Sequence, residues 1–412
     1  WGHYTTKDFI TYQYCGAPFV PDAPFDANGV FSGSAYVDGE GMHIFYTGNV
    51  ELPGDYNYTT AGRRADTILI KSNDGIHFSE KSVVIDTDEY PKEYSCHIRD
   101  PKVWQENGMY YMVLGGRTRQ DEGRILVYSS KNMKKWSFYK ELMTEDKFAY
   151  MWECPDLYEL DGQYVLSFSP QGLEREEYRY QNIYHAGYFV TRENPIEQSI
   201  LYDGTSFHEW DMGFDFYAPQ SFLDEKGRRI LIGWVGVPYA EYTNGEVEEN
   251  WQHCLTVPRE LFLRVDEITG KAKIYQYPII ELKQLRKDVP LSLQDKYLET
   301  KEEYLDVLCY NLPEQFSVVI GEGVHFQYKD KITVLSLTEE LGRGRNTRKC
   351  KIGRIQSLRI LIDSSIIEYY INDGEYVFTT RYYKREKGTK LKMECGNAQI
   401  EIYPMRSIQI HR

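Results

Sequence analysis

The stretch Glu153-Cys154-Pro155-Asp156-Leu157-Tyr158-Glu159-Leu160-Asp161-Gly162-Gln163-Tyr164-Val165-Leu166-Ser167-Phe168 (ECPDLYELDGQYVLSF) decides the fold class, because the chain offers three counterparts to it. They are Phe31 to Tyr46 (FSGSAYVDGEGMHIFY), Arg99 to Leu114 (RDPKVWQENGMYYMVL) and Ala218 to Ile232 (APQSFLDEKGRRILI). Each has a small residue or proline, a short strand, a polar turn with glycine, and then an alternating apolar strand. That order is the signature of a β-hairpin.

A second motif alternates with the first. It comprises Lys7 to Tyr12, Ser72 to Phe78, Ser130 to Trp136 and Ser206 to Trp210, each with a turn residue four positions before an aromatic. Two interleaved motifs in fixed order, at a period of roughly 55–65 residues, fit a four-stranded sheet plus loops, the repeating unit of a β-propeller. Unrelated hairpins stacked in a sandwich would have no reason to keep that order. The first strands of propeller blades surround a central channel, so Asp100 and Glu153, which each open such a strand, are expected to be neighbours. Trp1 to Tyr12 supplies an outer motif with no inner hairpin before it, so the chain is expected to begin inside an incomplete first blade and to lack an N-terminal piece.

From about Asp288 the texture changes to short strand-like runs between polar turns, among them Ile332 to Leu337, Ile366 to Ile371 and Tyr376 to Thr380. This reads as a β-sandwich. The expected architecture is all-β: a five-bladed β-propeller over residues 1–274, a connector over 275–287 and a β-sandwich over 288–412.

Composition narrows the function classes. A length of 412 residues favours two domains, and 42% hydrophobic with 27% charged residues suits a soluble globular protein. No run is long and apolar enough to span a bilayer. A formal charge of −14 argues against nucleic acid, which requires clustered Lys and Arg. The seven cysteines are scattered, odd in number and without a CxxC pair, which suits reduced thiols in a cytosol better than disulfides or a zinc site. A cytoplasmic location is therefore expected.

Several motifs in order carry a specific resemblance: WGH with Asp8 at Trp1 to Asp8, FSGSA at Phe31 to Ala35, RDPKV at Arg99 to Val103 and WECPDL at Trp152 to Leu157. FDFYAPQ at Phe214 to Gln220, GW at Gly233-Trp234, PREL at Pro258 to Leu261 and DSSIIEYYINDGE at Asp363 to Glu375 follow. On these the sequence resembles glycoside hydrolase family 32, the invertases, sucrose-6-phosphate hydrolases and fructan hydrolases, over essentially its whole length. The resemblance implies a five-bladed propeller with a sandwich, a retaining glycosidase, no metal or organic cofactor, and a small sugar as partner. It also implies that Glu153 is the acid/base and Asp100 the carboxylate that steadies the fructosyl transition state. The family's nucleophile belongs to an Asn-Asp-Pro motif upstream of WGH, and no residue in this sequence matches it.

The chemistry sets further expectations. A retaining glycosidase needs a protonated acid and an attacking carboxylate about 5–5.5 Å apart. Glu153 should then carry a raised pKa, from burial beside Trp152 and Met151 or from a facing Asp100. Arg99 is expected to hold Asp100 anionic. At the motif positions, Arg99, Trp1, Trp234, Phe31, Ser32 and, less centrally, Tyr217 are the expected substrate-binding residues, the tryptophans as an apolar wall. Asp156 is expected to be structural, capping a turn or holding a neighbouring strand, and Asp363 and Glu368 to lie outside the chemistry. Most of the 36 tyrosines and 7 tryptophans should simply pack the blades. Runs such as Met151 to Leu173 and Asn182 to Val190 resemble sucrose-6-phosphate hydrolases most, and Arg117 or Arg119 would supply a phosphate-binding charge; surface arginines are the plain alternative. Sucrose and short fructo-oligosaccharides stay open as substrates. So do fructosyl transfer and, for a chain that truly starts at Trp1, a fructoside-binding role without catalysis.

Overall fold

A computed structural model describes residues 1–246, 251–267, 269–384 and 387–412, almost all of them in strands and turns. All four repeat segments form antiparallel hairpins: Gly29–Asp38 with Gly41–Glu51, Tyr94–Glu106 with Met109–Thr118, Met151–Leu160 with Gln163–Gln171, and Tyr217–Leu223 with Arg229–Val235. Local sequence explains their closure. Asn107-Gly108 and Asp161-Gly162 are two-residue turns with φ of 49° and 77°, and 50° and 79°. Positive φ at both centres gives the twist that matches paired strands, and Asn or Asp followed by Gly adopts it most easily.

Each hairpin opens a sheet, and the sheet continues in chain order from the second strand outward. The first strand therefore always lies at an edge. Arg63–Ser72 and Ser82–Ile85 complete the first of these sheets, and Gly123–Ser130 and Ser137–Thr144 extend the second, with Leu201–Tyr202 added in parallel. Gly187–Thr191 and His208–Glu209 complete the third, and Arg259–Val265 and Ala272–Pro278 the fourth, where Cys254–Leu255 also pairs with Arg229–Val235. The alternating motif is a recurrent turn in three places. The hydroxyls of Thr6, Ser72 and Ser130 accept from the amides of Phe9, Gly75 and Met133, while Asp8, Asp74 and Asn132 accept from the amides two residues on. The fourth candidate, Ser206 to Trp210, is built differently, as the end of a 3-10 turn followed by a short strand.

Consecutive sheets are tied through their first hairpins. The Asp100 amide donates to Thr47 Oγ1 (3.1 Å), the Cys154 amide to Asp100 Oδ2 (2.9 Å), and the Ser221 amide to Asp156 Oδ2 (3.0 Å), while Lys102 Nζ reaches from the second sheet to the Ser221 carbonyl of the fourth (2.6 Å). Aromatic and aliphatic side chains fill the space between sheets. Trp152 stacks on Phe168 at 4.1 Å beside Val113, Ile125 and Phe189, and Tyr188 and Trp210 meet Leu231 and Leu261. Burial on this scale contributes about 2–3 kcal/mol per large side chain.

After a 3-10 segment at Ile280–Leu285, a six-stranded and a five-stranded antiparallel sheet pack face to face, with Phe326 stacked on Tyr369 at 4.7 Å in their shared core. One strand returns unexpectedly: Gln409–His411 pairs in parallel with Thr11–Tyr14, which itself pairs with Tyr4–Thr6. A seam joins the fourth of these hairpin-opened sheets to the C-terminal pair. Residues 211–215 run along Tyr376–Arg381, with the Met212 and Asp215 amides donating to the Val377 and Thr379 carbonyls (2.8 and 3.1 Å). Gly213 is required there, since a Cβ would lie 2.1 Å from the Thr379 oxygen. Arg259, fully buried, bridges the same seam to Glu368, Asp211, Gln276 and Thr379. Among the described residues no helix is long and apolar enough to cross a membrane.

Candidate active site

The four first strands share one irregularity. Their pairing slips between Val30 and Gly33, Arg99 and Lys102, Glu153 and Asp156, and Tyr217 and Gln220. In the last three the slip holds a non-glycine residue with positive φ, Asp100 (63°), Cys154 (48°) and Ala218 (47°), each followed by proline. A left-handed conformation costs an L-residue on the order of 1 kcal/mol, and a bulge of this kind re-aims side chains. Arg99, Glu153 and Tyr217 thus occupy equivalent positions, and they meet.

Glu153 lies at the centre. Its Oε1 accepts from Arg99 Nε at 3.1 Å and from Arg99 Nη2, and its Oε2 accepts from Tyr217 Oη and Gln171 Nε2. Arg99 Nη1 also donates to His97 Nδ1 (2.7 Å), which leaves Nε2–H to donate to the Tyr58 carbonyl (3.1 Å). His97 is held neutral, pushed down to about 4 by burial and by Arg99. Asp100 is buried; its Oδ2 accepts from the Cys154 amide and lies 3.9 Å from Arg99 Nε.

The protonation pattern reverses the sequence-based expectation. Burial raises Glu153, but Arg99 and the bonds from Tyr217, Arg99 and Gln171 outweigh it, so its carboxyl lies below the ordinary range. Burial likewise raises Asp100, and Arg99, spent mainly on Glu153, does not cancel that together with repulsion from Glu153, so Asp100 lies above its range. Arg99 therefore holds Glu153 anionic more than Asp100.

The remaining expected residues fall into two groups. Trp234 faces Tyr217 edge-on at 6.3 Å and donates from Nε1 to His253 Nδ1 (3.3 Å). Trp1 and Phe31 form a separate pair: Trp1 Nε1 donates to the Phe31 carbonyl (3.0 Å), and the Arg63 guanidinium lies 5.9 Å over the Phe31 ring. Ser32 is exposed in the slip of that first strand. Trp1 packs on Phe19 and Tyr46, and its partners do not include Trp234, so the structure does not join the two tryptophans into one wall. Asp156 Oδ2 accepts from the amide and hydroxyl of Ser221, bracing the next first strand. Glu368 is engaged with Arg259, away from the cluster. Arg117 bonds Asp121 and covers the Tyr150 ring at 4.6 Å, while Arg119 donates to the Lys92 carbonyl.

Sequence reasoning missed His97, Gln171 and Tyr184. His97 was within reach, since residues 97 and 99 of one strand share a face. Gln171 sits in the second strand of the hairpin, in register with Met151, and Tyr184 reaches Tyr217 (5.8 Å) from a loop, so neither carries a local signal.

Comparison with known proteins agrees over the length of the chain. Residues 1–278 match the family model described as "Glycosyl hydrolases family 32 N-terminal domain", and residues 323–411 that described as "Glycosyl hydrolases family 32 C terminal". The sucrose-6-phosphate hydrolase of Bacillus subtilis (strain 168) is 36% identical, across 93% of this chain and 80% of that protein. The solved structure of sucrose-6-phosphate hydrolase from Lactobacillus gasseri superposes with a TM-score of 0.84 at 25% identity, covering 99% of this chain and 85% of that one. The β-fructofuranosidase of Bombyx mori gives 0.83 at 27%, covering 100% and 86%.

Proposed function

The chain belongs to glycosyl hydrolase family 32, and we propose that it hydrolyses terminal β-D-fructofuranosides, with sucrose-6-phosphate or sucrose as substrate and fructose as product. The observation that carries this reading is Glu153, held by Arg99 and Tyr217 from equivalent bulges and linked to the buried Asp100 through Arg99 and Cys154.

In this reading Glu153 protonates the glycosidic oxygen as C2 of the fructosyl ring gains positive charge, and Asp100 stabilises that charge and binds ring hydroxyls. No residue of this chain is assigned as the attacking carboxylate that a retaining reaction requires. The coupled protonation gives substrate binding a role. Sugar hydroxyls that donate to Asp100 favour its anion, and an anionic Asp100 favours the protonated form of Glu153, where the proton is needed. Trp234 and Tyr217 contact the sugar on one side, and Phe31, Ser32 and Trp1 on the other. The four sheets opened by the repeat hairpins, with the strands at Tyr4–Thr6 and Thr11–Tyr14 as outer strands of a fifth, are taken as a five-bladed propeller, and the C-terminal sheets as its sandwich. A cytoplasmic protein meeting imported, phosphorylated sugar is the setting this reading favours.

The test is fructose release from sucrose-6-phosphate and from sucrose, followed by nuclear magnetic resonance so that the first anomer formed is seen. Release of β-fructofuranose with retained configuration is expected; inversion, or no release from either sugar, would overturn the reading.

A further inference from the structure

Beyond Tyr217 the cluster continues outward as tyrosine rings. Tyr184 lies 5.8 Å from Tyr217, and Tyr239 lies 6.4 Å from Tyr184 at a steep angle. Tyr184 is fixed from behind, because its backbone bridges Gln171, the residue that also donates to Glu153. Tyr239 is the odd residue of the set. Its side chain is 84% exposed, and its φ is 63°.

Both properties are unfavourable for a tyrosine. A bulky residue at positive φ is strained, and an exposed aromatic ring forgoes the burial that normally stabilises it. The loop is nonetheless held in place: the Val237 amide donates to Tyr242 Oη (3.2 Å), and Tyr242 Oη donates to the buried Asp215 (2.8 Å). Strain kept by a pinned loop, presenting an apolar face beside a polar reaction centre, is characteristic of ligand-binding positions. The order of residues also gives a direction. Glu153 donates its proton to the leaving group, so the leaving group must lie on the outward side of Glu153, where Tyr184 and Tyr239 stand.

We propose that Tyr184 and Tyr239 form a shelf for the leaving-group sugar, a hexopyranose ring lying with its C–H face against the tyrosines, and that Tyr239 sets the preference for leaving groups of that size. The inference rests on the fructoside-hydrolase reading and adds to it the residues that meet the leaving group and set the preference for it.

The test compares two substrates with the same fructosyl group, sucrose and methyl β-D-fructofuranoside, whose leaving group has no ring. In Tyr239→Ala, the ratio of kcat/KM for sucrose over the methyl fructoside is expected to fall about three- to tenfold, the range for loss of one aromatic stacking contact. The fall should appear in KM, as expected when ground state and transition state lose the same contact. Tyr239→Phe keeps the ring and should hold the ratio within about twofold of wild type. An equal loss on both sugars, or no loss on either, would overturn the shelf. If the wild-type protein turns over neither sugar, the hydrolase reading fails separately. Calorimetric affinities for the two sugars then decide: selective weakening of sucrose binding in Tyr239→Ala upholds the shelf, and unselective change or absence of sucrose binding overturns it.

Discussion

Arg99 and Glu153 hold the same position in successive repeats and bond to each other across the junction of their sheets, with Arg99 Nε 3.1 Å from Glu153 Oε1. Repetition makes this possible. One strained bulge, copied into neighbouring sheets, aims equivalent side chains at one place, and substitution then sets them apart as a cation, a carboxylate and a phenol. Both members of the pair are largely removed from solvent, so each depends on the other for compensation of its charge.

If Glu153 is the proton donor, its replacement by Gln removes that proton while keeping the shape of the side chain. Turnover of sucrose should drop by about 10²–10⁴, the usual worth of a positioned acid. Cleavage of β-fructofuranosyl fluoride, whose leaving group needs no strong acid, should fall far less. Near-normal kcat on sucrose would remove Glu153 from the acid role.

Arg99→Gln and Tyr217→Phe each take away an interaction that favours ionised Glu153. The Glu153 pKa should rise in both, so the high-pH limb of kcat/KM, where the acid loses its proton, should move to higher pH. The larger move is expected for Arg99→Gln, which removes a full charge. A limb that stays fixed in both variants would mean that another group controls it.

Arg117 stands over Tyr150 and donates to Asp121. If it meets the phosphate of sucrose-6-phosphate, Arg117→Ala should lower kcat/KM for that sugar about ten- to a hundredfold, as loss of a charge-assisted bond does. Sucrose should be affected much less. Equal effects on both sugars would return Arg117 to a role in packing Tyr150.

Arg259 is buried between Asp211 and Glu368. Arg259→Met should destabilise the protein by about 3–5 kcal/mol, because two carboxylates lose their counter-charge inside the seam. Urea unfolding would show this, and a change within experimental error would contradict it. Arg259→Met with Glu368→Gln should recover part of the loss, since one orphaned charge is then gone.

Acid should weaken the fold through buried imidazoles. His185 is pushed down from 6.5 to about 4 by burial, and His97 and His208 fall to about 4 in the same way. The unfolded chain binds these protons first, so their contribution is whole above pH 6.5 and is lost as pH falls toward 4, by about 1.4 kcal/mol per pH unit for each group. Glu209 opposes them: burial raises it from 4.5 to about 7, and its contribution is lost as pH rises through that interval. Three groups outweigh one, and the midpoint of urea unfolding should be lower at pH 5 than at pH 7. His185→Gln should make the dependence shallower; an unchanged slope would show that His185 is not among its sources.

Much of this was legible in the sequence, for physical reasons that also mark where legibility stopped. Alternating strands closed by Asn107-Gly108 or Asp161-Gly162 announce hairpins locally, and hairpins repeated in fixed order announce sheets whose first strands converge. Asp100 and Glu153 could therefore be brought together before any coordinates. Arg99 was misread because adjacency in sequence suggested Asp100 as its main partner. Successive side chains in a strand point to opposite faces, and the bulge that follows turns Arg99 toward Glu153. The pairing of Gln409–His411 with Thr11–Tyr14 links opposite ends of the chain and leaves no trace in local pattern. Tyr184 and Tyr239 come from loops, where no periodicity marks an inward or outward face.

The seam at Gly213 has a consequence for inheritance. Residues 211–215 take their path from the backbone of Tyr376–Arg381, and two residues later the chain presents Tyr217 to Glu153. The C-terminal sheets are thus a jig for a group in the reaction centre. A recombination event that joined this N-terminal half to a foreign C-terminal half would pass on Arg99, Glu153 and Tyr217 together yet mislay the alignment of the last. The two halves are held to a common lineage by a strand whose own side chains lie outside the Glu153 cluster.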